Sequence, residues 1–278
     1  MNKIQISVPV NEKIIELTPE YSAQYEMLDE FAECCQMRNK MAVVSQQEND
    51  RKFIASGSYC GFIKLIDGSV IDIVPKYDKE KKNAQKLLFM EFCNRCGFEF
   101  DDNFFNYEAS FMENMIAVFA RESMKIIKSG VLSQYSAIEE NLNTVQGKIL
   151  FSENNRINLL HRERIYVRHD IFSPDRAENR LMKAAASKLI KITDDPHSSH
   201  LLRQVTAYLD DVRKPANIAN EFSKCVNTRN TKKYSTVLSI SRMLLDTHSD
   251  TYFSGKYVSC SMLFDSVSCN NNEKDQIS

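Results

Sequence analysis

The feature that most constrains the fold is an Asp-Gly pair, Asp67-Gly68, that separates two β-rich runs. The surrounding segment GFIKLIDGSVIDIVPK, residues 61–76, alternates side-chain types before the pair and returns to β-branched residues after it. An Asp-Gly pair in this position is typical of a two-residue hairpin turn, because both central residues of that turn need a positive φ angle. The sequence therefore predicts an antiparallel hairpin with Asp67 and Gly68 both at positive φ.

The other patterns predict an α+β chain, in which a small β-rich N-terminal module is followed by a mixed, mainly helical domain. Apolar residues recur at helical spacing in six segments, at about 18–37, 83–96, 108–128, 176–193, 197–211 and 231–247. Shorter β-like runs, including GKILFS and RIYVRHDIF, lie between them. We divide the chain into a β-rich module (1–76), a mixed α/β body (77–265) and a polar, pattern-free tail (266–278) for which disorder is expected.

The segment GKYVSCSMLFD, residues 255–265, has the pattern of a further structured element. Because so little chain follows it, we expect its apolar residues Met262, Leu263 and Phe264 to be exposed. Such an exposed apolar end would lower solubility.

Composition limits the class of protein. The chain is 43% hydrophobic and 26% charged, which is typical of a folded soluble protein. It shows no secretion signal and no apolar run near the ~20 residues that span a bilayer, so a cytoplasmic location is expected. Its eight cysteines then indicate reduced thiols. Cys93 and Cys96 have the CxxC spacing of zinc ligands, but nothing completes a set of four, so core or surface thiols are favoured over a metal site.

Common nucleotide and hydrolase motifs are absent from the sequence. Neither Gly147-Lys148 nor Gly255-Lys256 fits GxxxxGK[ST], and no GxGxxG, GxSxG or HExxH occurs. We therefore expect no nucleotide cofactor in this chain.

The stretch FSPDRAENRLMK, residues 172–183, contains a Pro-Asp pair that suggests a PD-(D/E)xK nuclease. Such a site needs an acidic residue and a Lys two positions later on a strand, where both face the metal. Here Glu178 is followed by Arg180, and the run has helical character. A helix start explains the residues better, with Ser173 or Asp175 as N-cap and Asp175 with Glu178 as a capping box. Arg176, Arg180 and Lys183 would then form a basic stripe on the exposed side.

The residues QGKILFSENNRINLLHRERIYVRHDIFSPDRAENRLMKAA, residues 146–185, closely resemble the central block of McrC, a subunit of McrBC-type 5-methylcytosine-dependent restriction systems. The likeness covers roughly residues 50 to 265. The motif residues match the family's pattern and carry a structural interpretation: Gly147, Lys148, Phe172, Ser173, Pro174, Asp175, Glu178, Asn179 and Lys183.

The resemblance implies a role in defence against foreign DNA. McrC-like proteins insert an N-terminal region into a ring of an McrB AAA+ GTPase, stimulate it, and carry a C-terminal nuclease domain that cuts DNA containing modified cytosine. The implied partners are therefore an McrB-like ring and, through the complex, DNA, with no membrane. GTP and Mg²⁺ are expected in the partner and the nuclease domain, and no cofactor or metal in this chain.

The chain also departs from the family pattern. Where the nuclease domain would begin, the sequence runs SVSCNNNEKDQIS, and no residue matches the catalytic Asp, Asp/Glu and Lys. The expectation is a McrC-like subunit whose nuclease domain is truncated and which has no catalytic residue of its own. Whether the chain counts as an enzyme stays open, because it would be one component of a GTP-dependent endonuclease.

Five arginines are candidates for contact with an acidic partner surface or with DNA phosphate, because the guanidinium fork suits both. They are Arg162, Arg164, Arg168, Arg176 and Arg180. Internal bonding is at least as good an explanation for Arg180, Asp175 and Asn179. The alternative function is a stand-alone DNA-binding module that uses the basic region 156–191, where nine Lys or Arg stand against four acidic residues.

Overall fold

The structure is a computed structural model. It describes residues 3–38, 40–76, 81–102, 105–246 and 255–265. The predicted disordered tail, residues 266–278, lies outside these ranges. The strands are β1 (Gln5–Pro9), β2 (Lys13–Glu16), β3 (Val43–Glu48), β4 (Arg51–Ser56), β5 (Tyr59–Leu65), β6 (Val70–Val74), β7 (Gln134–Leu142), β8 (Lys148–Ile149), β9 (Ile165–Ser173) and β10 (Val258–Asp265). The helices are α1 (Ser22–Met37), α2 (Lys81–Cys96), α3 (Phe111–Lys128), α4 (Phe151–Ile157), α5 (Ala177–Leu189), α6 (Pro196–Tyr208), α7 (Ile218–Lys224) and α8 (Ser235–Leu245).

These elements confirm the predicted α+β class, and the strands form three small sheets. Helices α1, α2, α3, α5, α6 and α8 correspond to the six predicted ones. Two short helices were not predicted. The run GKILFS forms only the two-residue strand β8 before α4 begins at Phe151, and α7 is capped by the Asn217 side chain, which accepts from the backbone N–H of Asn220.

The predicted hairpin is confirmed, but its predicted turn geometry is wrong. Strands β5 and β6 pair antiparallel, and Gly68 has a φ of 88°, whereas Asp67 is not at positive φ. The Asp67 carboxylate instead accepts from the backbone N–H and the hydroxyl of Ser69, at 2.8 and 2.9 Å. An Asp side chain that bonds to its own loop stabilises a longer connection. The turn with two positive φ angles lies between β3 and β4, at Asn49 (47°) and Asp50 (61°).

Strand β10 completes a four-stranded sheet of order β1-β6-β5-β10, in which it pairs antiparallel with β5. Met262, Leu263 and Phe264 are buried in this sheet, so the expectation of an exposed apolar end is wrong. The sequence contains no signal for this pairing, because the two strands are almost two hundred residues apart. Gly61 allows the close approach, since a Cβ atom there would lie 1.9 Å from the carbonyl oxygen of Met262.

The main hydrophobic core lies between this sheet and helices α2, α3, α5, α6 and α8. A phenylalanine cluster joins the sheet to the helices, because Phe111 of α3 packs with its ring centroid 6.0 Å from that of Phe62 on β5 and 5.6 Å from that of Phe92 on α2. Helix α3, predicted at about 108–128, spans Phe111–Lys128, and the Ser110 hydroxyl caps it by accepting from the backbone N–H of Glu113. The division into residues 1–76 and 77–265 stays a prediction.

Candidate functional site

Residues 134–173 form a separate structure that we call the arm. It contains β7, α4, β8 and β9, and its three strands form a sheet of order β7-β9-β8. None of its residues belongs to the main core cluster, and Val167 is its only buried apolar side chain. The arm is therefore held by backbone pairing and polar contacts, with little hydrophobic support.

The arm exposes an unusual number of large apolar side chains. Seven of the thirteen that the described residues expose lie here: Tyr135, Val145, Phe151, Ile157, Leu159, Leu160 and Phe172. Leu160, at 88% exposure, is the most exposed of them. Several large apolar side chains left exposed on one small unit indicate a surface for a partner protein. The segment INLLHRER already contains this signal, because two leucines stand in an otherwise polar run.

Three asparagines fix the turn that carries these leucines. The side-chain amides of Asn141 and Asn158 bond to each other in both directions at 2.8 Å. The Asn154 side-chain oxygen accepts from Asn158 and from the backbone N–H of Tyr166, at 2.9 and 2.8 Å. Because amides and not apolar side chains hold α4 onto the sheet, Leu159 and Leu160 remain free to face outward.

The structure separates the five candidate arginines into two groups. Arg162 and Arg164 are exposed on the arm beside Leu159, where they line a cavity of about 320 Å³, and Arg168 is exposed on β9 in an ion pair with Glu139. Arg176 and Arg180 lie outside the arm and are partly buried against carboxylates. The predicted basic stripe on α5 is therefore wrong, because its arginines face acidic groups of the protein itself.

Gly147 and Lys148 lie on the arm. Gly147 has a φ of 71°, and a Cβ atom there would lie 2.4 Å from the carbonyl oxygen of Arg168. Only glycine fits this approach, which allows Lys148 to pair with Arg168 across β8 and β9. At the other end of the sheet, Phe172 is exposed and packs on Tyr135, with ring centroids 5.0 Å apart.

Both ends of the arm are fastened by Asn179 on α5. Its side-chain nitrogen donates to the carbonyl of Leu132, just before β7, at 2.8 Å and to that of Pro174, just after β9, at 2.7 Å. Its side-chain oxygen accepts from the Tyr234 hydroxyl at 2.8 Å, and that hydroxyl accepts from the backbone N–H of Leu132 at 3.0 Å. Burial raises the pKa of Tyr234 to about 12, so it remains a donor at all ordinary pH. We call these residues the arm anchor.

A second network surrounds Arg180. The guanidinium bonds to the Asp175 carboxylate at 2.9 Å and to the Glu221 carboxylate at 2.9 Å, and Asp175 also pairs with Arg213. Burial alone would raise the pKa of Asp175, but hydrogen bonds from Arg180 and Arg213 outweigh it and lower that pKa. The sequence gives no signal for Arg213, Glu221 or Tyr234, because each comes from a distant segment.

The predicted capping box at the start of α5 is wrong. The N-cap of the helix is Arg176, which makes no side-chain cap bond. Asp175 bonds to the two arginines, and the buried Glu178 accepts from Arg176 at 3.2 Å. The Ser173 hydroxyl accepts from the backbone N–H of Asp175 at 3.1 Å, which shapes the bend after β9. Asp175 pairs with Arg180 and Arg213 and does not cap the helix, because both guanidinium groups lie within hydrogen-bond distance of its carboxylate.

No metal site is evident among the residues that the structure describes. In the described ranges, no group of three His, Cys, Asp or Glu side chains is arranged to hold a metal ion, and all the cysteines found there are free. Cys93 and Cys96 lie in the core on α2, and burial raises the pKa of Cys93 to about 12. No helix of the described chain is long and apolar enough to cross a membrane.

A family model described as "McrBC 5-methylcytosine restriction system component" matches residues 54–267, which is most of the chain. The chain belongs to this McrBC family. The matched range begins in β4, includes the arm and both networks at its base, and extends past β10.

Two solved structures share the fold of this McrBC-family chain. A chain in the cryo-EM structure of the Thermococcus gammatolerans McrBC complex has a TM-score of 0.70 and 13% identity, with 98% of this chain and 87% of that one covered. A chain in a tetradecameric assembly of Thermococcus gammatolerans McrB AAA+ hexamers with bound McrC has a TM-score of 0.68 and 16% identity, with 94% and 66% covered. No curated protein matches.

The structure gives the motif FSPDRAENR of this McrBC-family chain a structural role. Its first residues end β9, its Asn179 fastens both ends of the arm, and Asp175 and Arg180 form a partly buried ion pair below it. Lys183 donates to the carbonyls of Asp210 and Val212, at 2.9 and 2.7 Å, on the loop that follows α6. The motif therefore sets how the arm projects from the helical body.

Proposed function

We propose that this chain is the McrC-like subunit of a 5-methylcytosine-dependent restriction system, and that it binds and stimulates an McrB-like AAA+ GTPase. We assign the contact with the ring to the arm, residues 134–173, although the family resemblance by itself implies an N-terminal region. In this proposal, GTP and Mg²⁺ belong to the partner and to the nuclease domain of the family. The complex engages DNA with modified cytosine and works in the cytoplasm.

The observation that carries this proposal is the exposed apolar surface of the arm. A monomeric protein gains nothing from leaving Phe151, Leu159 and Leu160 in water, whereas burial against a partner contributes roughly 25 cal/mol for each Å² of apolar surface. The adjacent Arg162 and Arg164 add positive charge, which favours association with an acidic partner surface.

The likeness in fold to chains of McrBC complexes supports a ring as that partner, since one of these structures contains McrB AAA+ hexamers with bound McrC. An arm with its own sheet and few contacts to the core is also suited to entering a cleft or channel. The arm anchor would then transmit the position of the arm to α5 and the helical body.

The test uses GTP hydrolysis by the McrB-like ring from the same source, measured with and without the full chain. We expect stimulation by the wild-type chain and a loss of at least tenfold in apparent affinity for the ring with Leu159→Ser/Leu160→Ser. The matched control is Tyr208→Ser/Val226→Ser, which also replaces two exposed apolar residues but lies outside both the arm and the N-terminal module.

Equal loss with both double variants would contradict the assignment of the arm. Absence of both binding and stimulation with the wild-type chain would contradict the proposal as a whole.

A further part of the proposal is that this polypeptide does not cut DNA by itself. The Pro174-Asp175 pair supports it, because the Asp175 carboxylate bonds to Arg180 and Arg213 and does not face a metal-ion site. Cleavage of methylated DNA by the purified chain with Mg²⁺, with no other subunit present, would disprove it. A stand-alone DNA-binding module that uses residues 156–191 has less support, because carboxylates of the protein engage Arg176 and Arg180.

A further inference from the structure

Strand β3 lies at one edge of the three-stranded sheet of order β2-β4-β3, beside helix α1. It pairs with β4 along its whole length, from Val43 opposite Ser56 to Glu48 opposite Arg51. No strand of the described ranges pairs with its other edge. An edge strand whose backbone groups are unpaired is a template for a further strand.

The bonds of β4 show which residues of β3 face the open edge. The carbonyl of Lys52 accepts from the backbone N–H of the residue after β2 at 2.8 Å, so Lys52 faces β2 and the residue opposite it, Gln47, faces away from β4. By the alternation of an antiparallel ladder, Ser45 also faces the open edge. At Val43 the backbone bonds to the Cys35 thiol of α1, so the open part of the edge begins after that residue.

A groove of about 300 Å³ lies between α1 and β3. Ala32, Val43 and Val44 give it an apolar lining, and Met41, which is 58% exposed, stands on its rim. A groove between an edge strand and a helix suits strand addition, because the main chain of an extended peptide pairs with the strand while alternate side chains enter the groove.

Two carboxylates of α1, those of Asp29 and Glu33, also line the groove. The Ser45 hydroxyl donates to Asp29, which orients that carboxylate without cancelling its charge. None of the ion pairs between described residues involves either carboxylate, and no described lysine or arginine lines the groove. The surrounding sequence is acidic as well, since residues 14–37 contain six Asp or Glu and no Lys or Arg. Charge complementarity therefore favours a basic occupant.

The same charge argues against a second copy of this chain on the open edge. Two copies joined through β3 would bring the acidic α1 helices of both toward one interface, and like charges across paired strands are destabilising. A basic segment relieves this repulsion and a second copy increases it.

We propose that the groove between α1 and β3 binds an extended, basic segment of a partner protein, which adds to β3 as a further strand. The segment would direct lysine or arginine side chains to Asp29 and Glu33 and apolar side chains into the groove. This site is separate from the arm, so the inference does not depend on the contact with the ring.

The test measures binding of a fluorescent hexapeptide of alternating lysine and valine to the full chain, by anisotropy at low salt. We expect saturable binding by the wild type. The same peptide with every backbone nitrogen methylated keeps its charge but cannot pair as a strand, so it should bind roughly tenfold more weakly. Equal binding of the two peptides, or no binding of the unmethylated one, would overturn the proposal.

Gln47→Pro tests the open edge from the side of the protein. Proline removes the N–H that faces the open edge and leaves the pairing of β3 with β4 intact, so it should weaken peptide binding roughly tenfold. Gln47→Ala keeps this N–H and should bind as the wild type does. Wild-type affinity in Gln47→Pro would contradict strand addition, and so would a dimer of the wild-type chain that Gln47→Pro dissociates, because a second copy would then occupy the edge. If circular dichroism shows that Gln47→Pro does not fold, the methylated peptide still decides.

Asp29→Asn/Glu33→Gln tests the charge of the groove with little change in side-chain shape. We expect roughly tenfold weaker binding and a smaller dependence of affinity on salt. The matched control is Asp210→Asn/Asp211→Asn, which removes two exposed carboxylates on the helical body. Equal loss with this control would overturn the proposal, because the peptide would then respond to total charge and not to the groove.

Discussion

The two antiparallel strand pairs β5–β10 and β7–β9 have similar lengths and opposite environments. Strand β5 is buried along almost its whole length between β6 and β10, with helices packed on the sheet. In the arm, β7 is partly or fully exposed at every position, and β9 buries only Val167 and His169. One pair contributes to the core, and the other presents a surface.

The difference shows how one chain divides stability and binding between two sheets. Burial of apolar surface is the main favourable contribution to folding, so substitutions in the β5–β10 pair should reduce the free energy of unfolding. The arm contributes little burial, so substitutions there should change binding and leave that free energy nearly unchanged. Where the arm joins the body, at the arm anchor, both properties should change together.

The largest expected effect is that of Gly61→Ala. Its φ of 139° is rare for other residues, and the added Cβ would meet the backbone of Met262 on β10, so the two strands would have to separate. We expect a loss of more than about 4 kcal/mol in the free energy of unfolding, measured by urea denaturation. Gly130→Ala is the control, because Gly130 has a φ of 86° but nothing within 4 Å of an added Cβ, and it should cost about 1 kcal/mol. Equal losses would show that backbone conformation, and not the β5–β10 contact, decides the effect.

The next effect is that of Asn179→Ala at the arm anchor. The substitution removes the partner of the Leu132 and Pro174 carbonyls and of the Tyr234 hydroxyl. We expect a loss of about 3 kcal/mol in the free energy of unfolding. We also expect weaker stimulation of the ring even at saturating concentration, because the arm is no longer fixed to α5.

Tyr234→Phe should have a smaller effect than Asn179→Ala, since it removes one hydroxyl and leaves both carbonyl contacts of Asn179 in place. It should cost about 1 to 2 kcal/mol in the same denaturation experiment and preserve most of the stimulation. A larger loss of stimulation with Tyr234→Phe than with Asn179→Ala would show that the anchor does not act through the ends of the arm.

The third effect depends on pH. The folded-state pKa of Asp175 is below its ordinary value of 3.8, so its ionised form stabilises the folded state above that pH, and the contribution is lost as pH falls through the folded-state pKa. Asp175→Asn should cost about 2 kcal/mol at neutral pH, because hydrogen bonds to a charged group are lost. The difference between variant and wild type should shrink as pH falls below about 4, as measured by denaturation at several pH values. A difference that stays constant down to pH 2 would contradict the role of the carboxylate charge.

Local signals in the sequence were enough for much of this fold. The hairpin at Asp67-Gly68 and the helix predicted at about 108–128 depend on neighbouring residues, and the structure confirms the hairpin and the helix. The family resemblance was also visible in short segments. The type of turn at Asp67 was predicted wrongly, because the Asp67 carboxylate accepts a hydrogen bond from the backbone N–H of Ser69 and so stabilises a different turn.

Long-range pairing could not be predicted from the sequence. Asp175 does not cap α5 because it pairs with Arg213, and Arg180 is not exposed because it pairs with Glu221. Leu263 is buried because β10 pairs with β5. In each case the deciding partner lies far along the chain, and no periodicity in either segment identifies it. The exposed leucines of the arm are a partial exception. Leu159 and Leu160 stand in an otherwise polar segment, which indicates that they do not belong to a hydrophobic core.

The smallest expected effect on stability is that of Leu160→Ser, and it separates the two functions of the arm most clearly. Leu160 makes almost no buried contact, so the free energy of unfolding should change by no more than about 0.5 kcal/mol. Val167→Ala removes part of the arm's one buried apolar side chain, so it should open the sheet locally and accelerate amide hydrogen exchange in β7 and β9. The rate of amide hydrogen exchange in the arm, measured by mass spectrometry, should therefore be higher in Val167→Ala and unchanged in Leu160→Ser. Faster exchange with Leu160→Ser would mean that this leucine supports the arm's own structure, and its exposure would then no longer be evidence for a partner.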